Sequence, residues 1–222
     1  MKKVDAKKIV LIGMFAAIAY VLTVAGHYAN IQFVGVDFLK YDPKDIIIVI
    51  GGFIFGPLSV VAMSVIVSIM EMFHPSTTGF YGVLMNVLST CAFAGTAALI
   101  YKKWRTLPGA VVGLVAGIIV TAPVMLLWNY FIVPLYMPWV TRDVIVPMLL
   151  SVFLPFNIIK CGINTAVTLL IYKSIRTSLA SLNLFEKPTE QKSNAFGAVV
   201  TIMSVILLIT LLFLVVRGVF TS

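Results

Sequence analysis

Phe38-Leu39-Lys40-Tyr41-Asp42-Pro43-Lys44-Asp45 runs directly into Ile46-Ile47-Ile48-Val49-Ile50-Gly51-Gly52-Phe53-Ile54-Phe55. Charged and phenolic side chains thus open onto a run that has none. Asp42 followed by Pro43 predicts a helix start, with Asp42 as N-cap, Pro43 in the first helical position and Asp45 in the third. The apolar run predicts a short second helix over 46–55. Alone it cannot cross a hydrocarbon core of about 30 Å. A half-length helix whose polar start opens into a bundle is one way to build a site at membrane depth. A wet loop with a helix cap is the other reading of the same residues.

The rest of the chain reads as membrane. Its 222 residues are 61% hydrophobic and 11% charged, with a mean hydropathy of +1.09. Soluble domains are only about 45–50% apolar. Lipid offers the backbone no hydrogen bonds, so spans must be helices or a closed barrel. The apolar runs here are too continuous for barrel strands, which alternate over about ten residues. The expected class is therefore all-α, a polytopic membrane helical bundle.

The net charge of +8 does not predict a nucleic-acid partner, because of where it sits. Lys2, Lys3, Lys7, Lys8, Lys102, Lys103, Arg105, Lys173, Arg176, Lys187 and Lys192 fall at ends and loops that would share one side of the membrane. This positive-inside pattern places the N-terminus in the cytoplasm. Counting crossings places the C-terminus outside. Cys91 and Cys161 lie within apolar segments as buried thiols, without metal-ligand spacing. The basic start before Ile9 to Ala25 has no cleavage pattern and reads as a retained first helix.

In order, the expected spans are Lys8 to Gly26, the short second helix, Leu58 to Phe73, Phe80 to Tyr101, Gly109 to Tyr130, a sixth from Arg142-Asp143 to Tyr172, and Ala195 to Val216. Pro123 is expected to kink the fifth, and Pro134 to Pro138 to form an outer segment beyond it. Pro155 is expected to interrupt the sixth. The organisation is a membrane domain over 1–175, a cytoplasmic linker over 176–194 and an added helix over 195–222.

Asn157, Lys160 and Asn164 are three and four apart and share one helical face. A lysine at the centre of a membrane helix costs about 2.5–3.5 kcal/mol on insertion scales. It must face the bundle and find a partner, either Glu71 or Asp45 in an ion pair, or a ligand. Intramembrane ionisable groups favour the ligand reading. Asn129, between Trp128 and Tyr130, suits a flat, polar-edged aromatic ligand, because an amide both donates and accepts. Glu71 and Asn86 are weaker candidates. Gly13, Ala16 and Ala17 form a small-residue stripe, and spacing alone favours internal packing there. No phosphate loop, metal cluster or Ser-His-acid grouping is visible. An embedded enzyme using Glu71, Lys160 and Asp45 would need a spacing that the sequence does not show.

Several motifs together carry a resemblance. These are Phe38 to Asp45, Gly52-Phe53-Ile54-Phe55-Gly56-Pro57, Thr78-Gly79 with Gly82 and Asn86, Trp128-Asn129-Tyr130, and Pro155-Phe156-Asn157-Ile158-Ile159-Lys160. Over about residues 8 to 175 the chain resembles the substrate-binding S components of energy-coupling factor (ECF) vitamin importers. Within them it resembles the riboflavin-specific members, with FMN or another flat vitamin as the alternative ligand. The resemblance implies a six-helix core in a bacterial cell membrane and no enzymatic activity. It also implies no cofactor beyond riboflavin as cargo. The implied partners are a transmembrane coupling subunit and two cytoplasmic ATPases. Asn129, Asn157 and Lys160 would bond the isoalloxazine edge. Phe38, Leu39, Lys40, Tyr41 and Asp45 would line or lid the site, with Trp128, Glu71 and Asn86 as further candidates. The resemblance also reverses the reading of Gly13, Ala16 and Ala17, which would dock on the coupling subunit. Ala195 to Val216 departs from it as a seventh helix.

Overall fold

The computed structural model describes residues 6–29, 39–74, 79–137, 140–180 and 194–216. Phe38, Thr78 and most of the segment read as a cytoplasmic linker lie outside the described residues. All regular elements described are helical: α1 (Ala6–Ala29), α2 (Lys44–Phe55), α3 (Pro57–Phe73), α4 (Gly79–Thr90), α5 (Thr96–Lys103), α6 (Leu107–Tyr136), α7 (Arg142–Met148), α8 (Leu154–Ala180) and α9 (Asn194–Val216). A π turn at Cys91–Gly95 joins α4 to α5, and another at Leu149–Phe153 joins α7 to α8. Each pair therefore acts as one rod. Five helices or rods among the described residues are long and apolar enough to cross a membrane.

The short α2 is the axis of the bundle. Its 12 residues span about 18 Å at 1.5 Å each. It packs against α1, α3, α5 and α8, and Lys44, Asp45, Ile46, Ile48, Val49, Ile50, Gly51, Gly52 and Phe53 are all buried. The expected cap shifts by one residue. The helix begins at Lys44, and Asp42 Oδ1 accepts from Lys44 N at 3.1 Å and from Thr23 Oγ1 at 3.1 Å. Gly56 closes α2 at φ +94°, where a side chain would be strained, and Pro57 opens α3.

In lipid, apolar burial no longer drives helices together, so close packing and hydrogen bonds carry the association. The α6 face shows this. Gly109, Gly113 and Gly117 repeat every four residues. A Cβ on Gly113 would lie 2.8 Å from the Ala97 carbonyl oxygen, and one on Gly117 would lie 2.7 Å from that of Phe93. The α6 backbone therefore rides directly on the α4–α5 rod.

Pro134 and Pro155 behave differently from expectation. α6 passes through Pro123 and Pro134 to Tyr136, and Met137 N still donates to Val133 O at 2.9 Å. The break expected at Pro155 falls just upstream, in the π turn at 149–153. A proline lacks the N–H for the preceding turn and crowds its carbonyl, and a wider turn there relieves both problems. α8 runs on to Ala180, beyond the expected Tyr172.

Two cores divide the bundle. At the basic end, which carries Lys8, Lys102 and Arg105, Phe53 stacks on Tyr101 with centroids 4.2 Å apart. The Tyr101 and Tyr172 hydroxyls bond at 2.8 Å. At the far end, Leu39, Val133, Ile145, Phe153, Phe156, Ile159 and Ile163 form the second core. α9 lies along α8, where Leu208 and Leu211 join this second core.

Candidate functional site

The polar side chains gather at the far end, around the start of α2. Lys44 reaches inward and is fully buried. Its ammonium pairs with the Asp42 carboxylate and with Glu71 Oε1, the latter at 2.6 Å. Glu71 Oε2 in turn accepts from Asn86 Nδ2 at 2.5 Å. This chain ties the start of α2 to α3 and α4. Glu71 and Asn86, both read as ligand candidates, thus have polar atoms already engaged within the fold.

A second, looser arrangement lies beside it. Lys160 of α8 faces Asp45 Oδ2 at 3.5 Å, while Asp45 Oδ1 accepts from Thr90 Oγ1 at 2.7 Å. Of the two partners foreseen for Lys160, Asp45 is the one it meets. The 3.5 Å separation exceeds the roughly 2.7–2.9 Å of a charge-assisted hydrogen bond. Asp45 Oδ2 has no hydrogen bond.

Asn157, Lys160 and Asn164 do share a buried face, as their spacing requires. Asn157 Nδ2 donates to Phe153 O at 2.7 Å, and Asn129 Nδ2 donates to Met125 O at 2.7 Å. Each back-bond spans one helical turn and turns the amide oxygen away from its own helix. Asn129 Oδ1 is buried and has no hydrogen bond. Asn164 Oδ1 accepts from the Tyr41 hydroxyl at 2.7 Å, leaving Asn164 Nδ2 unpaired. Trp128 Nε1 and the Tyr136 hydroxyl are likewise buried and without a hydrogen bond. An unpaired buried polar group costs about 1–3 kcal/mol. Two of the unpaired atoms belong to one corner: Asp45 Oδ2 faces Lys160, and Asn164 Nδ2 lies one helical turn from Lys160 on the same buried face.

The other candidates divide. Leu39 is buried in the far core, and Lys40 is half-buried. Tyr130 packs on Phe131 with centroids 4.9 Å apart, and Arg142 covers its ring at 5.4 Å. The α1 stripe also splits. Ala16 is only 2% exposed and packs in the core, whereas Gly13 and Ala17 are exposed, and a Cβ on Gly13 would meet nothing within 4 Å. Ala16 therefore faces its own bundle and does not extend the open face. Asn164 and Tyr41 bond each other in the site layer. The role of Lys44 at the centre of the ion chain has no signal in the sequence, because Glu71 lies 27 positions away on another helix.

The model for the family "ECF transporter, substrate-specific component" matches residues 7–172. This chain is an ECF transporter S component. Being a transporter component, it is not an enzyme. The S component is 30% identical over 178 residues to the riboflavin transporter RibU of Staphylococcus aureus, covering 78% of this chain and 92% of that protein. It is 29% identical over 179 residues to the riboflavin transporter FmnP of Bacillus subtilis, covering 77% and 92%. A solved structure described as the S component of a bacterial ECF transporter superposes with a TM-score of 0.65 at 29% identity. It covers 78% of this chain and 97% of that one. The S component fold and its multi-pass membrane placement follow, and α9 lies outside the family match.

Proposed function

We propose that this S component captures riboflavin at the far end of the bundle and delivers it inward with a transmembrane coupling subunit and two cytoplasmic ATPases. The basic end then faces the cytoplasm, in line with the lysines and arginine gathered there. The N-terminus is cytoplasmic, and the C-terminus after α9 is extracellular. The organisation is a six-span binding domain with α9 as an addition.

The observation that carries this reading is the loosely paired Lys160–Asp45 corner, where Asp45 Oδ2 and the neighbouring Asn164 Nδ2 have no hydrogen bond. An isoalloxazine presents carbonyl acceptors on either side of an N–H donor. Lys160 and Asn164 Nδ2 can donate to the carbonyls, and Asn129 Oδ1 and the Asn157 carbonyl can accept. A carbonyl of the ligand supplies Lys160 with a closer acceptor than the carboxylate at 3.5 Å. Leu39 and its core neighbours would wall the ring. The relatives named as riboflavin transporters support the same ligand. FMN fits less well. Of Lys40 and Lys44, the lysines near the start of α2 that could take its phosphate, Lys44 is already held by Asp42 and Glu71.

The test is direct. Riboflavin titrated into the purified protein should quench tryptophan fluorescence with saturation well below micromolar concentrations, and the protein should purify yellow. No flavin binding at micromolar concentrations would sink the reading.

A further inference from the structure

α9 lies beyond the family match over 7–172, yet it is seated closely on the bundle. Among its described side chains, those turned inward are Val200, Ser204, Leu208, Leu211 and Val215. They are three and four apart and so form one stripe. Val200 packs on the basic-end core, while Leu208, Leu211 and Val215 pack on the far core. α9 therefore runs back along α8 from the basic end to the far end. Positions beside the stripe, such as Met203, Ile206, Ile209 and Leu212, are exposed.

The stripe meets α8 where α8 is thinnest. Gly162 is buried, and a Cβ there would lie 2.9 Å from Leu211 Cδ1. Ala166, one turn further on, is fully buried. In lipid, close approach of this kind is what holds two helices together. Lys160 and Asn164 stand two residues to either side of Gly162, about 160° around the helix from it. Leu211 thus presses on the back of α8 at the level where its front carries the ligand corner. On that front, α2 holds Asp45, whose Oδ2 lies 3.5 Å from Lys160 Nζ. Ile159 and Ile163, the residues just before Lys160 and Asn164, pack in the same core as Leu208 and Leu211. At this level α8 is enclosed between α2 and α9.

We propose that α9 positions the ligand face of α8. Leu211, seated against Gly162, fixes how far Lys160 stands from the α2 side of the corner, and so how tightly riboflavin is held. The role builds on the ligand corner proposed above. Leu211 is a positioning residue: it sits behind α8 and acts through Lys160. Shortening it opens the contact at Gly162 and lets α8 relax away from α2. A charge-assisted hydrogen bond spans only about 2.7–2.9 Å, so a small retreat of Lys160 is felt in affinity.

Riboflavin titrations of the full chain in detergent, with melting on the same samples, test this. Leu211→Ala should weaken binding about two- to tenfold, the lower part of the range for coupled neighbours. In a Lys160→Met background the same change should leave affinity where it was, because the group it positions is gone. Leu212→Ala, on the exposed face, should not alter affinity, and Leu211→Met, which keeps the volume, should restore it. Unchanged affinity in Leu211→Ala overturns the proposal. So does an equal loss with and without Lys160, which would make α9 a general brace on the fold. Should Leu211→Ala fail to fold, Leu208→Ala opens the same seam one turn nearer the basic end. It is expected to act in the same direction, and undiminished affinity in that variant overturns the proposal equally. A wild type that binds no riboflavin sinks the ligand reading and this role together, whereas failure of the role alone leaves wild-type binding intact.

Discussion

Two lysines enter the far half of this bundle, and they are held in opposite ways. Lys44 is closed between two carboxylates, Asp42 and Glu71, and the second of these is itself bonded to Asn86. Lys160 has one carboxylate at 3.5 Å, and unpaired amide and carboxylate atoms lie in the same polar layer. The first arrangement is saturated and ties three helices together. The second leaves hydrogen-bonding capacity unspent at a place where leaving it unspent costs stability. Such a local cost is expected where a protein must bind something. Burial does not separate the two lysines. The number and closeness of their partners does.

The contrast can be broken most severely at Lys44. Lys44→Met should lower stability by about 3–5 kcal/mol, because the buried Glu71 and the partly buried Asp42 lose their counter-charge. The melting midpoint in detergent should fall steeply, and an unchanged midpoint would mean the clamp holds nothing together. Next in size come Lys160→Met and Asn129→Ala. Each should weaken riboflavin binding by about 1–3 kcal/mol, the range for a lost buried partner. Asn129→Ala should move the ligand-free melting midpoint far less than Lys44→Met, since it removes only the Nδ2 bond to Met125 O of its own helix, while its oxygen bonds nothing within the chain. Fluorescence titration and melting on the same samples separate the two effects, and unchanged affinity in both variants would remove these residues from the site.

Smaller again is Tyr41→Phe, which deletes the bond to Asn164. It should cost about 0.5–1.5 kcal/mol, seen as a modest loss of melting temperature. A loss as large as that of Lys44→Met would merge the two regions into one network. At the low end, Gly13→Trp should change neither melting nor ligand affinity, because its surroundings are open. It should prevent co-purification with the coupling subunit. Normal assembly by this variant would show that the exposed α1 face is not the docking surface.

Much of this was legible before any coordinates. Long apolar runs without charge specify helices, because lipid leaves the backbone no other partner. The 157, 160, 164 spacing put three polar side chains on one face, and that face is buried. Helix ends were harder to read. Pro134 lies inside α6 and Pro155 just beyond a π turn, since packed neighbours can stabilise a helix that isolated propensity would stop. The Gly109, Gly113, Gly117 repeat was a readable signal that went unused, and it sets the closest backbone approach in the α6 interface.

By itself, then, the sequence determined the class, the spans and the polar residues that had to face inward, because these depend on local period and on the exclusion of charge from lipid. Only the tertiary structure decided which lysine meets which acid. Lys44 and Glu71 are 27 positions apart, and Lys160 and Asp45 are farther still. No helical period links such positions. Their pairing follows from how α2 is enclosed by α1, α3 and α8, and that enclosure separates a structural clamp from a corner with bonds left to make.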